Sequence, residues 1–366
     1  MRICYILTRS DALGGVQVHV KNFAKKMKSE GHEVNIILGG EGPYYQMLVT
    51  EGFSVISLKY LKQKINPFYD LLALIEIIKY LKAINPEILS THSSKAGVLG
   101  RLASYILGIP ALFTAHGWAF TEGVSRFNQY LYSKIETAMA PLSKKIITVS
   151  NYDFNLAIER NIVPQDKLIA IHNGMPQISM DLYANVVGKK VKIIMVARFD
   201  HQKDHLTLLT SLSEIKHLDW ELDLIGDGPL FDEIKNSASF LGINERINFV
   251  GQVEDVVPYL KDSQIFTLIS NWEGLPRSII EAMRSGLPII ATDVAGVKEM
   301  VGDEINGYLI PRKDVKTLAK RLESMINNQQ VRLEMSKQSL KIFKEEFTLE
   351  KTFNKTFDVY MEITNS

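Results

Sequence analysis

The sequence predicts an α/β protein made of two doubly wound parallel-sheet domains in series. Short apolar runs alternate with helical stretches along nearly the whole chain, as at residues 3–7 and 34–38, which flank a helical stretch that follows Gly14-Gly15. A strand–helix–strand unit of this kind implies parallel strands covered by helices. The alternation starts afresh at residue 191, after a turn-rich cluster at residues 172–176.

The other strands are predicted from further short apolar runs. In the first half these runs lie at residues 54–58, 88–91, 110–114 and 146–149, and in the second half at 191–197, 221–225, 247–250, 265–269 and 288–291. After Asn327 the chain is predicted to be helical to its end, including residues 349–363.

The domain boundary is predicted in the turn-rich cluster, which precedes a weakly structured stretch at residues 177–190. The amino-terminal domain is then 1–172 and the carboxyl-terminal domain 173–348, with a last helix at about 349–366 that is able to pack back on the first domain. Open α/β sheets bind ligands outside the carboxyl ends of their strands. We therefore expect the site in a cleft between two facing sheets.

Composition excludes several classes of protein. The 366 residues are 46% hydrophobic and 23% charged, which excludes a disordered, collagen-like or multispanning membrane protein. A single cysteine, Cys4, excludes a disulfide framework and a cysteine-rich metal site. The sequence contains neither a secretory signal nor an apolar span of membrane length, so we expect a cytoplasmic protein.

Charge is unevenly distributed along the chain. Residues 1–172 carry 19 Lys and Arg against 13 Asp and Glu, and the remainder carries 23 against 28, so net charges of +6 and −5 make up the formal +1. A basic half suggests an anionic partner. Because no arginine-rich or aromatic-basic motif occurs, we do not expect nucleic acid.

The segment at residues 270–283 carries the clearest chemistry. It follows the predicted strand at 265–269 and opens a helix in which Pro276 suits the first turn. The backbone of Gly274-Leu275-Pro276-Arg277-Ser278 then forms a helix N-terminus, which is a ready site for phosphate. The carboxylates of Glu273 and Glu281 are suited to accept hydrogen bonds from sugar hydroxyls beside a diphosphate, although acids near a helix start are also favoured by the dipole alone.

Glu273 and Glu281 form an E-x7-E pattern in the setting EGLPxxxxEAMxxGxPII. This pattern resembles the retaining glycosyltransferases of family 4, which have the two-domain GT-B fold. The resemblance covers essentially the whole chain and includes Gly14-Gly15-Val16, Gly31-His32-Glu33-Val34, Val149-Ser150, Asn173-Gly174 and Gly226-Asp227-Gly228-Pro229. The resemblance implies a nucleoside-diphosphate sugar as the donor, and we expect it to be UDP-linked. It also implies that Glu273 contacts the donor sugar and that Glu281 contacts the ribose of the nucleotide.

Arg198 and Lys203 are predicted to neutralise the diphosphate. They follow the strand at residues 191–197, and two cations at a strand's carboxyl end stabilise a departing diphosphate. Their positions match the Arg and Lys of the family motif. The sequence departs from that motif at Ala197, where the family commonly has Gly, and at Asp204, where Gly commonly follows the Lys.

Gly14, Gly15 and His116 are the candidate site residues of the first domain. The two glycines let backbone amides approach a phosphate or sugar without side-chain clash. His116 follows the strand at 110–114, where the family has a functional His near the donor sugar. Trp118 and Phe120 either supply an apolar face for a sugar ring or cap the core.

No metal ion is expected in the reaction. The backbone of Gly251-Gln252-Val253 receives the nucleobase by resemblance, with Gln252 and Val253 as the contacts. The Asp-x-Asp motif that holds a metal in other sugar-nucleotide transferases does not occur in the sequence. Arg198, Lys203 and the helix amides are expected to supply that charge instead.

The predicted reaction is transfer of a hexose to an acceptor hydroxyl with retention at the anomeric carbon. The sequence offers no convincing nucleophile for a covalent intermediate, and the family is thought to use same-face attack in which a departing phosphate oxygen takes the acceptor proton. Catalysis would then depend on positioning and on stabilising the leaving group. The alternatives are a nucleotide-sugar epimerase, a sugar phosphorylase and a non-catalytic nucleotide-sugar-binding protein.

Peripheral attachment to the inner face of the cell membrane is predicted for the first domain. Basic residues at 59–64 precede a strongly apolar helix at 71–82, and such a combination can seat a protein on anionic lipid. Similar enzymes extend polyprenyl-diphosphate-linked saccharides in surface polysaccharide synthesis, so the expected acceptor is a lipid-linked saccharide. The alternative is an ordinary core helix whose apolar positions are all buried.

Overall fold

The computed structural model describes residues 1–11, 14–188 and 190–365. The chain divides into two compact units. Unit 1 comprises Met1–Asn173 and Leu349–Ser366, and unit 2 comprises Gly174–Thr348. Each unit is built around one parallel sheet, which confirms the predicted fold class. Within the described ranges, no helix is both long enough and apolar enough to cross a bilayer.

Unit 1 contains a seven-stranded sheet in the order β3-β2-β1-β4-β5-β6-β7. Strand β1 lies inside the sheet, where Ile3 pairs with Val34 of β2 on one side and with Ile88 of β4 on the other. The strands are β1 (Arg2–Leu7), β2 (Glu33–Gly39), β3 (Ser54–Leu58), β4 (Ile88–His92), β5 (Ala111–Ala115), β6 (Lys145–Thr148) and β7 (Leu168–Ala170).

Unit 2 contains a six-stranded parallel sheet in the order β10-β9-β8-β11-β12-β13. Here β8 is the inner strand, since Ile193 pairs with Leu222 of β9 and with Ile265 of β11. The strands are β8 (Val191–Val196), β9 (Trp220–Ile225), β10 (Ile247–Gly251), β11 (Ile265–Leu268), β12 (Ile289–Thr292) and β13 (Gly307–Ile310).

Helices connect the strands in both units. Those of unit 1 before the boundary are α1 (Gly15–Ser29), α2 (Pro43–Thr50), α3 (Pro67–Ile84), α4 (Ser94–Leu107), α5 (Arg126–Met139) and α6 (Asn151–Glu159). Those of unit 2 are α7 (His205–Glu214), α8 (Phe231–Phe240), α9 (Val257–Lys261), α10 (Arg277–Arg284), α11 (Val315–Asn327) and α12 (Gln329–Glu346). The last helix is α13 (Leu349–Thr364).

Helix α13 belongs to the core of unit 1. Its Phe353 ring lies 5.7 Å from the ring of Phe23 on α1, and Tyr360 is 1% exposed. Burying large aromatic rings of this kind stabilises a fold by about 2 to 3 kcal/mol per side chain. The carboxyl-terminal helix therefore contributes to the folding of the amino-terminal sheet.

The sequence prediction missed one strand in each unit. Strand β7 (LIA) and strand β13 (GYLI) each contain only three consecutive apolar residues, so neither carries a run long enough to show a pattern. Pro276 was also predicted in the first turn of α10, whereas the helix begins at Arg277 and Pro276 caps it. The other predicted strands are all present.

In each sheet, the order in which successive strands are added reverses at one inner strand. In unit 1, β2 and β3 are added on one side of β1, and β4 and the later strands on its other side. In unit 2, β9 and β10 lie on one side of β8, and β11 and the later strands on its other side. Ligands of such sheets bind at the carboxyl edge where the order reverses. A ligand is therefore expected at the residues that follow β1 and β4 in unit 1, and at those that follow β8 and β11 in unit 2.

Candidate active site

A buried ion pair joins Lys203 and Glu273 in unit 2. The Nζ of Lys203 donates to Glu273 Oε1, and the same oxygen accepts from Ser270 Oγ at 2.6 Å. The second carboxylate oxygen accepts from Gln202 Nε2 at 3.2 Å. The side chains of Lys203 and Glu273 are only 12% and 5% exposed, so the pair has little screening by water.

Backbone hydrogen bonds hold the two loops that carry this pair. Asp204 N donates to the Ile269 carbonyl at 2.9 Å, and Asn271 N donates to the Gln202 carbonyl at 2.7 Å. The loops follow β8 and β11, which are neighbours in the sheet. Residues about 70 positions apart in sequence are thereby brought together at one edge.

Asp204, where the sequence departs from the family motif, caps helix α7. Its carboxylate accepts hydrogen bonds from the backbone N and the Oγ1 of Thr207, at 3.1 and 2.7 Å. An N-cap of this type stabilises a helix by about 1 kcal/mol. The departure therefore has a structural role beside Lys203.

Arg198 is the more exposed of the two predicted diphosphate ligands. Its side chain is 69% exposed, and its Nε lies 3.8 Å from Asp200 Oδ2. The turn at Gly226 packs directly against this loop, since a Cβ on Gly226 would lie 2.1 Å from the Ala197 carbonyl oxygen. Gly226 also has a φ of +137°, so glycine is required there on both grounds.

The E-x7-E segment spans the start of α10. The Gly274 carbonyl accepts from Gly296 N at 3.2 Å, and both Leu275 and Pro276 are buried. These two predicted donor contacts are thus largely withdrawn from solvent.

Glu281 lies on α10 among arginines. Arg277 Nη2 is 3.8 Å from its Oε1. Burial raises the pKa of Glu281 above its usual range, while Arg277 and Arg284 act in the opposite direction. The Glu281 side chain is one-fifth exposed, so part of it is accessible from solvent.

Gln252 and Val253 directly follow β10 at the same edge of the sheet. Gln252 is exposed and Val253 is half-buried. The Gly251 carbonyl before them accepts from Gly226 N at 2.9 Å. The predicted donor-binding residues between 198 and 281 therefore lie on the loops that follow β8, β10 and β11, and, for Glu281, on helix α10.

In unit 1, Gly14 and Gly15 begin helix α1. Gly14 is the N-cap, and its N–H donates to Gln17 Oε1 at 3.2 Å. Both glycines are exposed. The two residues before them, 12 and 13, lie outside the described ranges.

His116 follows β5 and contacts two further histidines. Its Nε2 lies 3.0 Å from His92 Nδ1, and its ring meets the ring of His19 edge-on with centroids 4.9 Å apart. Burial, and then the neighbouring His116, lower the pKa of His92 well below its usual range.

Trp118 and Phe120 belong to the core rather than to a sugar-binding face. They are 3% and 0% exposed, and their rings stack with centroids 5.1 Å apart. Trp118 Nε1 donates to the Asp153 carbonyl at 2.8 Å. Of the two alternatives, a sugar-binding face or a place in the core, the structure supports the place in the core.

Sequence reasoning missed four side chains that lie beside the predicted ones: Gln202, Ser270, His19 and His92. Three of them sit at or just beyond the carboxyl end of a strand, and His19 lies on the helix that follows β1. The strand order would have pointed to them, because residues at the reversal of the order converge.

The two parallel-sheet units together have the architecture of the GT-B fold. A solved structure of Anabaena HepE in complex with UDP matches with a TM-score of 0.85 at 18% identity, covering 99% of this chain and all of that one.

Matches to two family models then define the family. Residues 13–176 match the model for glycosyltransferase family 4, and residues 184–341 match the model for glycosyl transferases group 1. Together these ranges span most of the chain, which belongs to the glycosyltransferases that combine the two domains.

Bacterial enzymes with curated activities are similar over nearly the full length. One is a UDP-Gal:alpha-D-GlcNAc-diphosphoundecaprenol alpha-1,3-galactosyltransferase of Escherichia coli, 29% identical over 96% of this chain and 94% of its own. Another is an O-antigen biosynthesis glycosyltransferase of Escherichia coli, 29% identical over 84% of this chain and 85% of its own.

We predict that the free energy of unfolding decreases as the pH is lowered, because of His205. This residue begins α7 and stacks on Phe199 with ring centroids 4.2 Å apart. Burial lowers the pKa of His205 from 6.5 to about 4. Because the unfolded chain takes up this proton first, acidification from pH 7 to 4 should cost about 3 kcal/mol of stability at this residue.

Urea unfolding at pH 7 and pH 4 measures this effect. A His205→Gln variant, which cannot titrate, should lose about 3 kcal/mol less than the wild type over the same interval. Equal losses in the two proteins would show that His205 is not the residue responsible.

Proposed function

We propose that the protein is a retaining hexosyltransferase that moves a sugar from a UDP-linked donor to a hydroxyl of a lipid-linked saccharide. The observation that carries the proposal is the buried pair of Lys203 and Glu273 at the carboxyl edge of β8 and β11. A cation and a carboxylate held at that edge, beside the exposed Arg198, suit a ligand with both phosphates and hydroxyls.

The contacts of Glu273 support same-face attack over a covalent intermediate. Lys203 and Ser270 bind one of its oxygens, and Gln202 binds the other. A carboxylate stabilised in this way is a weak nucleophile, and it is better suited to orient sugar hydroxyls. The departing diphosphate is then left to take the acceptor proton while Arg198 and Lys203 stabilise its charge.

The names of similar proteins support the proposed donor and acceptor. One relative is described as acting with UDP-Gal on a diphosphoundecaprenol-linked sugar, and another as taking part in O-antigen biosynthesis. A polyprenyl-linked acceptor stays at the membrane, so a role in surface polysaccharide synthesis calls for an enzyme that works at the membrane surface.

Helix α3 offers a surface for that contact. It buries Ala73, Ile77 and Leu81, whereas three apolar side chains of the helix, and Ile65 just before it, are exposed. With the preceding lysines they form the basic–apolar patch, which consists of Lys59, Lys62, Lys64, Ile65, Phe68, Leu71 and Ile75.

The exposure of this patch disfavours an ordinary core helix. Phe68 and Ile65 are each 67% exposed, and Leu71 and Ile75 are more than half exposed. Asn66 caps the helix by accepting hydrogen bonds from the backbone of Phe68 and Tyr69, so the apolar residues are held in place at its start. Exposed apolar rings beside lysines suit insertion into an anionic bilayer surface.

A donor and acceptor screen tests the proposed activity. The protein is incubated with several nucleoside-diphosphate sugars, with and without a polyprenyl-diphosphate-linked saccharide, and the product linkage is assigned by NMR. We expect acceptor-dependent transfer that keeps the anomeric configuration. Donor conversion without acceptor would indicate an epimerase, phosphate-dependent cleavage a phosphorylase, and binding without turnover a non-catalytic protein. An inverted product would contradict retention.

We predict that Arg198→Ala and Lys203→Ala each reduce kcat by about 100-fold or more, as loss of a key electrostatic stabiliser does. The matched control is Lys190→Ala. That lysine precedes β8 at the opposite edge of the sheet and pairs with Glu221 on the surface, so its loss should leave turnover unchanged. Near-normal turnover in a folded Arg198→Ala, Lys203→Ala double variant would contradict the assignment.

Activity is also predicted to persist in excess EDTA. Protein cations and helix amides are proposed to neutralise the diphosphate, so no divalent ion is required. The rate is measured before and after chelation and again with added magnesium or manganese. Complete loss with EDTA and recovery with either ion would overturn the proposed metal independence.

Membrane contact is tested by co-sedimentation with vesicles. The wild type should bind anionic vesicles at low salt, at about 1 kcal/mol per basic residue near the surface, and salt should weaken binding. Changing Lys59, Lys62 and Lys64 to Glu should abolish it. The control changes three exposed lysines of unit 2, Lys216, Lys235 and Lys261, to Glu. A wild type that ignores anionic vesicles would favour a soluble acceptor.

A further inference from the structure

Three histidines of unit 1 converge on one point. His19 comes from α1, His92 ends β4, and His116 follows β5. One ring nitrogen from each lies within 4.8 Å of the others. Among residues 1–11, 14–188 and 190–365, this is the one group of three or more potential metal-ligating side chains that converges so closely.

Strand order explains the convergence. Strand β4 lies between β1 and β5 in the sheet, and α1 follows β1, so all three histidines come from neighbouring segments at the carboxyl edge. His19 and His92 are 6% and 2% exposed, while His116 is half-buried. The group is thus buried at His19 and His92 and more accessible at His116.

Hydrogen bonds orient the innermost histidine. His92 Nε2 contacts Ser90 Oγ at 3.1 Å, and the hydroxyl of Tyr360 donates to the same Ser90 oxygen at 3.2 Å. This arrangement directs His92 Nδ1 toward His116 Nε2, 3.0 Å away. Metal-binding histidines characteristically have their second nitrogen held by an outer partner of this kind.

We propose that His19, His92 and His116 form a site for a borderline transition-metal ion such as Zn²⁺. Metal–nitrogen distances of about 2.0–2.1 Å in tetrahedral geometry separate the ligand nitrogens by roughly 3.3 Å, close to the spacing of His92 and His116. A small rotation of His19 completes three ligands. The fourth position is left for a water molecule or an outside ligand.

The ligand set selects the metal. Three imidazoles suit Zn²⁺, Ni²⁺ and Cu²⁺, whereas Mg²⁺ and Ca²⁺ require oxygen ligands. The bound ion would use Nε2 of His116 as a ligand, so this nitrogen would no longer be available to a substrate. If His116 serves the donor sugar, a step that rests on the proposed function, then Zn²⁺ should inhibit transfer and EDTA should restore it.

Competition with a chromophoric chelator tests the site without any enzyme assay. We expect one Zn²⁺ bound per chain and no competition by Mg²⁺. His19→Gln and His92→Gln should each weaken Zn²⁺ binding by at least about 100-fold, and Ser90→Ala, which removes only the outer partner, by about 10- to 100-fold. His217→Gln, at an exposed histidine of unit 2, should bind as the wild type does.

Circular dichroism confirms that each variant is folded, and the His19 and Ser90 variants decide the matter if His92→Gln does not fold. No Zn²⁺ binding, or equal affinity in wild type and His19→Gln, would overturn the site whatever the activity. Zn²⁺ binding with the predicted variant pattern, in a protein without transferase activity, would leave the site intact and contradict the proposed function instead.

Discussion

The ion pair between Lys203 and Glu273 is the interaction on which the second unit's candidate site depends. Burying two charges costs several kcal/mol, which is offset only when geometry is good and the remaining polar atoms are satisfied. Ser270 and Gln202 supply those additional hydrogen bonds. Removing either charge would leave the other uncompensated, so both residues are tied to one position and to each other.

The same topology creates a second convergence in unit 1. Thr8 follows β1, and its Oγ1 lies 2.8 Å from the Oγ of Ser93, which follows β4. Ser93 adopts a φ of +71°, a conformation that costs a non-glycine residue energy and is common where function demands it. The three histidines lie at this edge as well. Each unit therefore concentrates its polar chemistry where the strand order reverses.

Sequence reasoning predicted the fold class and most strands because buried parallel strands appear as short apolar runs. It failed for β7 and β13, which contain only three consecutive apolar residues each. It assigned Lys203 and Glu273 to different parts of the donor, whereas the structure joins them in one ion pair. That contact spans 70 positions, and it follows from the adjacency of β8 and β11.

The convergence of the three histidines could not be predicted from the sequence for a related reason. His19, His92 and His116 are separated by long intervals, and only His116 carried a motif that drew attention. Placing the other two required the order of β1, β4 and β5, which no local pattern contains. By contrast, the departure at Asp204 has a local explanation, since Asp is among the residues that favour the N-cap of a helix.

Binding of nucleoside diphosphates tests the central claim most directly. Calorimetry in excess EDTA would compare UDP, GDP and ADP, each against its own nucleoside. Two charge-assisted contacts from Arg198 and Lys203 should make at least one diphosphate bind about 100-fold more tightly than its nucleoside, and Arg198→Ala should narrow that difference. Equal affinity for diphosphate and nucleoside, or a difference unchanged in the variant, would contradict the account.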